Sequence, residues 1–312
     1  MTLGVVLLIL TGLCWVGIAA VVDDAARKRL DMDFIQFGAS AVIAVAAAGV
    51  MLFRPSLAGT FAEKVLICGC VFAAGACNFL MLSLMRRAMA FGCSGAVWGI
   101  TQSAMVCPFA MGMVFFGVAP TLPRLGGILL ILTGILLFSR IRGGRGAVSN
   151  SGCWLLPTFT AFAVSGLGQS LANLPSYWTA TAMGSELRAC LVQLGTISLF
   201  CASVPFRRKK PSPRGTLRPV LLLSLVQILS LFFFFYRGLN LVAAHGGGSI
   251  GYPVAQGCSI AGFLVWGFLT RRERFSKISA GAALAICTGI FLLAICKNRK
   301  VINGYHQIRS FS

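Results

Sequence analysis

Residues 246–257, GGGSIGYPVAQG, interrupt a part of the chain that is otherwise apolar enough to be helix embedded in lipid. Five glycines and a proline within twelve residues weaken a helix. A second stretch of the same kind, GCSGAVWGITQS, covers residues 92–103 and also has glutamine as its next-to-last residue. The chain therefore carries two related, glycine-rich and polar stretches inside apolar surroundings.

The composition predicts an all-α integral membrane protein. Hydrophobic residues make up 57% of the 312 residues, charged residues 11%, and the mean hydropathy is +0.87, whereas about a quarter of a soluble chain is charged. Because a membrane-spanning helix needs about 20 apolar residues, we predict ten transmembrane helices. The first has no basic lead and is expected to be a retained helix, not a signal peptide. The predicted spans are residues 3–22, 34–53, 65–85, 93–116, 123–139, 153–172, 185–205, 219–239, 247–269 and 278–296.

The positive charges predict the orientation. The net charge is +20, and eighteen of the 27 basic residues fall in the odd-numbered connections between predicted spans. By the positive-inside rule these connections are cytoplasmic and both termini are external. A loop such as FRRKKPSPRGTLR at residues 206–218 is then a topological signal that also attracts anionic lipid. Since it has no interleaved aromatic residues, we expect no nucleic-acid partner.

The two halves of the chain resemble each other at a spacing near 155 residues. Four matches stay in order at offsets of 154, 157, 154 and 155: TGL 11–13 with SGL 165–167, QFG 36–38 with QLG 193–195, Gln102 with Gln256, and TGI 133–135 with TGI 288–290. Five spans is an odd number, so the second copy must enter the membrane inverted. We predict a first five-helix repeat at 1–140, a cytoplasmic connector at 141–152, a second, inverted five-helix repeat at 153–297 and a polar tail at 298–312.

Alignment on the glutamines pairs Trp98 with Tyr252 and Gln102 with Gln256. Each ring lies four residues before its amide, so ring and amide share one helix face. An unpaired amide in hydrocarbon costs roughly 2–7 kcal/mol, and both amides must therefore face protein or water. We expect a shared cavity, with span 9 loosened by its glycines and Pro253. The alternative is that the glutamines join helices and the glycines only allow close packing.

Other polar residues inside the spans extend the candidate site. A charged side chain at membrane depth indicates a functional site by default, although Arg237 could instead extend to the membrane surface. Glu186, near the start of span 7, is the candidate coupling residue, with stabilisation of the helix start as the alternative. The predicted substrate-binding residues are Asn78, Trp98, Gln102, Gln169, Asn173, Arg237, Tyr252 and Gln256.

Several stretches resemble a known transporter group. Ten spans in two inverted halves, glycine-rich fourth and ninth spans, and LTRRERFSKISAGAALAICTGIFLL at 269–293 resemble the drug/metabolite transporter superfamily. Within it, the chain is most similar to the L-rhamnose/proton symporter family through three stretches: NFLMLSLMRRAMAFGCSGAVWG at 78–99, SGLGQSLANLP at 165–175, and GGGSIGYPVAQG at 246–257. The resemblance implies a ten-helix transporter fold and sugar symport.

The chain lacks the motifs of enzymes and metal proteins. Its seven carboxylates mostly flank the spans, and no nucleotide-binding GxxxxGK[ST] loop or metal-binding HExxH pair occurs. Twelve cysteines with no CxxC pair and two histidines argue against a zinc site or a disulfide framework. We expect no enzyme activity and no cofactor, and proton or sodium coupling both stay open.

The sequence favours one function over two alternatives. We expect a secondary-active transporter of a small polar metabolite, a rhamnose-like sugar, working by alternating access in the plasma (bacterial inner) membrane. The alternatives are an exporter of amino acids or amphipathic compounds in the same fold, and a membrane sensor or scaffold. The expected partners are the small-molecule substrate and membrane lipids, and the oligomeric state is open.

Overall fold

The computed structural model describes residues 2–51, 60–92, 94–115, 121–139, 153–177, 183–206, 215–243, 251–270 and 276–295. The predicted connector at 141–152 and tail at 298–312 lie outside these residues. The regular elements described are all helices. They are α1 Thr2–Arg27, α2 Met32–Met51, α3 Phe61–Met89, α4 Ser94–Gln102, α5 Val106–Phe115, α6 Leu122–Ser139, α7 Leu155–Tyr177, α8 Ser185–Ser203, α9 Leu217–Ile228, α10 Tyr236–Ala243, α11 Gly251–Leu269 and α12 Lys277–Ile295.

The fold is that of an all-α, multi-pass membrane protein. Seven helical segments of the described chain are long and apolar enough to cross a membrane: Thr2–Arg27, Met32–Val50, Phe61–Met89, Ser94–Phe115, Ser185–Phe206, Leu217–Val242 and Gly251–Leu269. Large apolar side chains lie on the outside, with Val45 75%, Leu129 65% and Leu284 69% exposed. A bilayer would cover such a surface, because lipid tails are as apolar as these side chains. The count of ten crossings and the orientation stay predictions.

Two segments depart from regular α-helix. A 3₁₀ turn at Ser103–Met105 separates α4 from α5, and a π-helical segment at Leu229–Phe235 separates α9 from α10. The expectation that Pro253 loosens span 9 is wrong for its described part, since α11 is continuous from Gly251 to Leu269. Pro253 lies in the first turn of α11, where backbone N–H groups have no partner within the helix.

Glycines let α3 and α8 pack backbone against backbone. A Cβ atom added at Gly75 would lie 1.9 Å from the carbonyl oxygen of Val192, and one added at Gly195 would lie 1.9 Å from that of Phe72. Such distances leave no room for any side chain. Close approach through small residues is a common way for membrane helices to associate, because the hydrophobic effect does not drive them together in lipid.

A buried carboxylate joins the end of α1 to the start of α4. Asp23 is 1% exposed, accepts two hydrogen bonds of 3.0 and 2.9 Å from Arg27 Nε, and accepts a 2.5 Å hydrogen bond from the Ser94 hydroxyl. Hydrogen bonds to a charged group are stronger than those between neutral groups. This cluster therefore fixes the glycine-rich fourth segment relative to the first helix.

Candidate functional site: an interhelical cavity

A cavity of about 170 Å³ lies between α1, α3, α4, α7, α8, α9, α10, α11 and the π-helical segment, and we call it the interhelical cavity. Both predicted repeats contribute to its lining. Its polar and aromatic lining residues are Trp15, Asn78, Trp98, Gln102, Ser165, Gln169, Gln193, Gln227, Ser230, Phe235, Tyr236, Tyr252 and Gln256. Among the described lining residues none carries a formal charge, so the lining itself is neutral and rich in amides.

The structure brings six of the eight predicted binding residues to this cavity: Asn78, Trp98, Gln102, Gln169, Tyr252 and Gln256. Trp98 and Gln102 both lie on α4, and Tyr252 and Gln256 both lie on α11. Each ring and its amide therefore share a helix face, as the spacing of four residues predicts.

Three predicted site residues lie elsewhere. Asn173 is buried on α7 one turn beyond Gln169 but does not line the cavity, and Arg237 is exposed on α10. Exposure of Arg237 fits the alternative that its side chain extends to the surface. Glu186 is partly buried in the first turn of α8 and also lies outside the lining.

The cavity contains buried polar atoms without a hydrogen-bond partner among the described residues. They are the indole nitrogen of Trp98 and the side-chain oxygens of Gln169 and Gln256. Trp98 is only 2% and Gln256 1% exposed. The amide nitrogen of Gln169 already donates a 2.9 Å hydrogen bond to the Ser165 hydroxyl. A buried polar group without a partner costs about 1–3 kcal/mol, so one donor and two acceptors are available to a bound molecule.

Hydrogen bonds fix two further glutamines, Gln193 and Gln227, in the lining of the cavity. The Ser40 hydroxyl donates a 2.7 Å hydrogen bond to the side-chain oxygen of Gln193, and the amide nitrogen of Gln193 donates a 3.3 Å hydrogen bond to Gln227. Sequence reasoning missed both glutamines as site residues. The available signal was QLG at 193–195 matching QFG at 36–38, but the mate Gln36 bonds instead to the Phe79 carbonyl oxygen and the Ser83 hydroxyl.

Aromatic rings form a wall of the cavity. The Phe235 ring lies 5.2 Å from Trp15, 5.2 Å from Tyr236 and 5.0 Å from Tyr252, measured between ring centroids. Phe235 ends the π-helical segment, and Tyr236 begins α10. Irregular π-helical turns are often found at functional sites. Here the irregular turn carries Ser230, Leu231 and Phe235, all of which line the cavity.

Sequence reasoning also missed a buried arginine beside this wall. Arg188 on α8 is 5% exposed, and its guanidinium carbon lies 5.8 Å from the ring centroid of Tyr236. This distance is within the range of cation–π attraction. The signal in the sequence was a charged residue within predicted span 7.

Comparison with known proteins supports the fold alone. No protein-family model matches the chain, and no curated protein matches it. A solved crystal structure of a protein is similar, with a TM-score of 0.65 at 13% identity, over 95% of this chain and 98% of that one. At such low identity the likeness extends to the fold only. The fold and cavity define a multi-pass helical membrane protein with an interhelical cavity whose lining includes six amide side chains.

Proposed function

We propose that the protein is a secondary transporter that carries a small polar metabolite, a carbohydrate such as a rhamnose-like sugar, across the plasma (bacterial inner) membrane by alternating access. The observation that carries the proposal is the set of buried polar atoms at the interhelical cavity that have no hydrogen-bond partner among the described residues. Substrate sites of many secondary transporters lie near the bilayer midplane at the interface of two repeats.

The chemistry of the cavity supports a hydroxylated substrate. A hydroxyl group both donates and accepts, so it can satisfy the indole N–H of Trp98 and the amide oxygens of Gln169 and Gln256. The aromatic wall around Phe235 and Tyr252 offers a surface for the apolar face of a sugar ring. Pockets for drug-sized ligands measure about 300–1,000 Å³. A cavity of about 170 Å³ therefore favours a small metabolite over a bulky amphipathic compound.

Contacts between α6 and α12 support two inverted repeats, because equivalent residues of the two helices make the same contacts with each other. A Cβ added at Gly134 would lie 2.8 Å from the Ala282 carbonyl oxygen and 2.4 Å from the Ile286 side chain. A Cβ added at Gly289 would lie 2.5 Å from the Gly127 carbonyl oxygen and 2.9 Å from the Ile131 side chain. Each residue of one contact is 155 positions from its counterpart in the other. An axis in the membrane plane that relates the two halves would produce this reciprocity.

A second pair of contacts supports the same arrangement beside the cavity. A Cβ at Gly12 on α1 would lie 2.4 Å from the Ala255 carbonyl oxygen and 2.6 Å from Cys258 on α11. A Cβ added at its predicted repeat mate Gly166 on α7 would lie 3.6 Å from the Ala104 carbonyl oxygen and 2.4 Å from the Cys107 sulfur. Ala255 is 151 positions after Ala104, and Cys258 is 151 positions after Cys107. This offset differs by three residues, about one helical turn, from the offset of 154 between Gln102 and Gln256. We infer ten crossings in two inverted repeats of five that are equivalent but not identical.

A ligand screen followed by a flux assay tests the proposal. Purified protein is screened by thermal shift against sugars, polyols, amino acids and nucleosides, because a ligand that binds only the folded state raises its apparent stability. The hits are then assayed for exchange in liposomes preloaded with the same compound. We expect a hydroxylated metabolite both to stabilise the protein and to exchange. Absence of exchange above protein-free liposomes for every compound would favour the sensor or scaffold alternative.

A further inference from the structure

We propose that the substrate is a hydroxylated carboxylic acid, and that Arg188 provides the positive charge that selects it. The inference rests on the proposed transport function and deepens it. It starts from the position of one buried charge. Arg188 is 5% exposed within a segment apolar enough to span a membrane. Ionisable residues at such positions are costly, and they mark substrate or ion pathways.

Arg188 is not itself a lining residue of the interhelical cavity, but helix geometry places it next to one. Val192, one turn further along α8, lines the cavity, and residues four apart share a helix face. The guanidinium carbon lies 5.8 Å from the ring centroid of Tyr236, which also lines the cavity. Glu186 lies two residues earlier and so points about 200° away around the helix.

The electrostatic surroundings favour an anion in the cavity. The lining residues that the structure describes are uncharged. In a low-dielectric interior a charge acts over a longer range than in water. A buried guanidinium beside an uncharged lining therefore favours an anion in the cavity over a cation.

The neighbouring groups specify the rest of the ligand. The positive charge of a guanidinium group favours a carboxylate over a neutral polar group. The indole N–H of Trp98 and the amide oxygens of Gln169 and Gln256, which have no partner in the described part of the chain, match hydroxyl groups. A cavity of about 170 Å³ limits the molecule to a small size. A monosaccharide acid, with one carboxylate and several hydroxyls, satisfies all three conditions.

Matched pairs of ligands test this inference. L-rhamnose is compared with L-rhamnonate, and D-galactose with D-galacturonate, by calorimetry on purified protein at pH 7. A hydrogen bond to a charged group is worth more than one to a neutral group, so we expect the acid of at least one pair to bind roughly 10- to 100-fold more tightly than its neutral partner. Arg188→Gln should remove most of this preference and leave the affinity for the neutral sugar within roughly threefold, and Arg188→Lys should retain part of it.

Arg218→Gln provides the matched control, since Arg218 is exposed in the first turn of α9 and the variant changes the net charge equally. It should keep the full preference for the acid. Equal or tighter binding of the neutral sugars by the native protein would overturn the inference. Equal weakening of both ligands by Arg188→Gln would overturn it as well. Neither result would contradict the transport proposal. Binding of neither member of any pair would overturn the carbohydrate proposal as well. If Arg188→Gln does not fold, the native protein and Arg188→Lys decide the outcome.

Discussion

The indole nitrogen of Trp15 donates a 2.9 Å hydrogen bond to the hydroxyl of Ser230, and both residues line the interhelical cavity. Trp15 lies on α1, and Ser230 is fully buried in the π-helical segment 215 positions later. This bond joins helices of the two predicted repeats directly at the cavity wall. It also supplies a buried partner to a hydroxyl next to an irregular turn.

A double-mutant cycle measures this bond. Trp15→Phe and Ser230→Ala each remove one partner, and the cycle isolates their coupling. Interhelical hydrogen bonds in membranes average about 0.6 kcal/mol and reach about 1.7 kcal/mol. We expect a coupling within that range, measured by SDS-induced unfolding in mixed micelles. Additive effects of the two changes would show that the hydrogen bond does not contribute to stability.

Close packing of α3 on α8 predicts a sharp contrast between glycines of one helix. Gly75→Ala places a methyl group against the backbone of Val192, and overpacking of this kind costs about 1–3 kcal/mol. Gly69→Ala on the same helix meets nothing within 4 Å. Alanine favours helix over glycine by about 1 kcal/mol, so this control should be neutral or stabilising. Equal melting temperatures for the two variants would contradict the packing described here.

The buried Asp23 carboxylate should contribute more to the stability of the protein than the neighbouring Asp24 carboxylate. Asp23→Asn weakens hydrogen bonds to Arg27 and Ser94 and should cost about 1.5–3 kcal/mol. Asp24→Asn removes only a 2.7 Å bond to the exposed Lys28, and exposed ion pairs contribute about 0–1 kcal/mol. The free energy of unfolding of both variants tests the difference. A larger loss for Asp24→Asn would refute it.

The pattern of apolar residues was sufficient to predict where helices lie. Each predicted span overlaps a helical segment of the structure, because runs of about 20 apolar residues have few alternatives to helix in lipid. The pairing of a ring with an amide four residues later also placed Trp98, Gln102, Tyr252 and Gln256 at one cavity.

Other features depend on tertiary contacts that a single sequence does not reveal. The helical break falls in the fourth segment after Gln102 and not at Pro253, since a proline in a first helical turn displaces no hydrogen bond. Gln193 lines the cavity while its repeat mate Gln36 bonds between α2 and α3. Arg188 is buried and Arg237 exposed, although both are arginines within apolar helices.

Cysteine labelling tests the predicted orientation. In a background without native cysteines, Ser212→Cys lies in the basic loop predicted to be cytoplasmic, and Tyr305→Cys lies in the tail predicted to be external. Both positions are outside the described residues. A membrane-impermeant reagent applied to intact cells should label position 305 and spare position 212. The opposite pattern would reverse the orientation.

Substitution of the glutamines on α4 and α11 shows whether the interhelical cavity binds the substrate. Gln256→Leu removes an amide whose oxygen has no partner among the described residues, so a substrate hydroxyl would lose its hydrogen bond at a cost of about 1–3 kcal/mol. Affinity should then fall by about one to two decades. Gln102→Leu, which alters the same cavity, should also weaken binding.

Thr288→Val is the control, because Thr288 is exposed on α12 and does not line the cavity. Ligand affinity and melting temperature should be measured together for all three variants, using the ligand found in the screen. Both glutamine variants should bind more weakly with little change in melting temperature, while Thr288→Val keeps native affinity. Unchanged affinity with a lowered melting temperature at both glutamines would show that they only join helices and that the cavity is not the binding site.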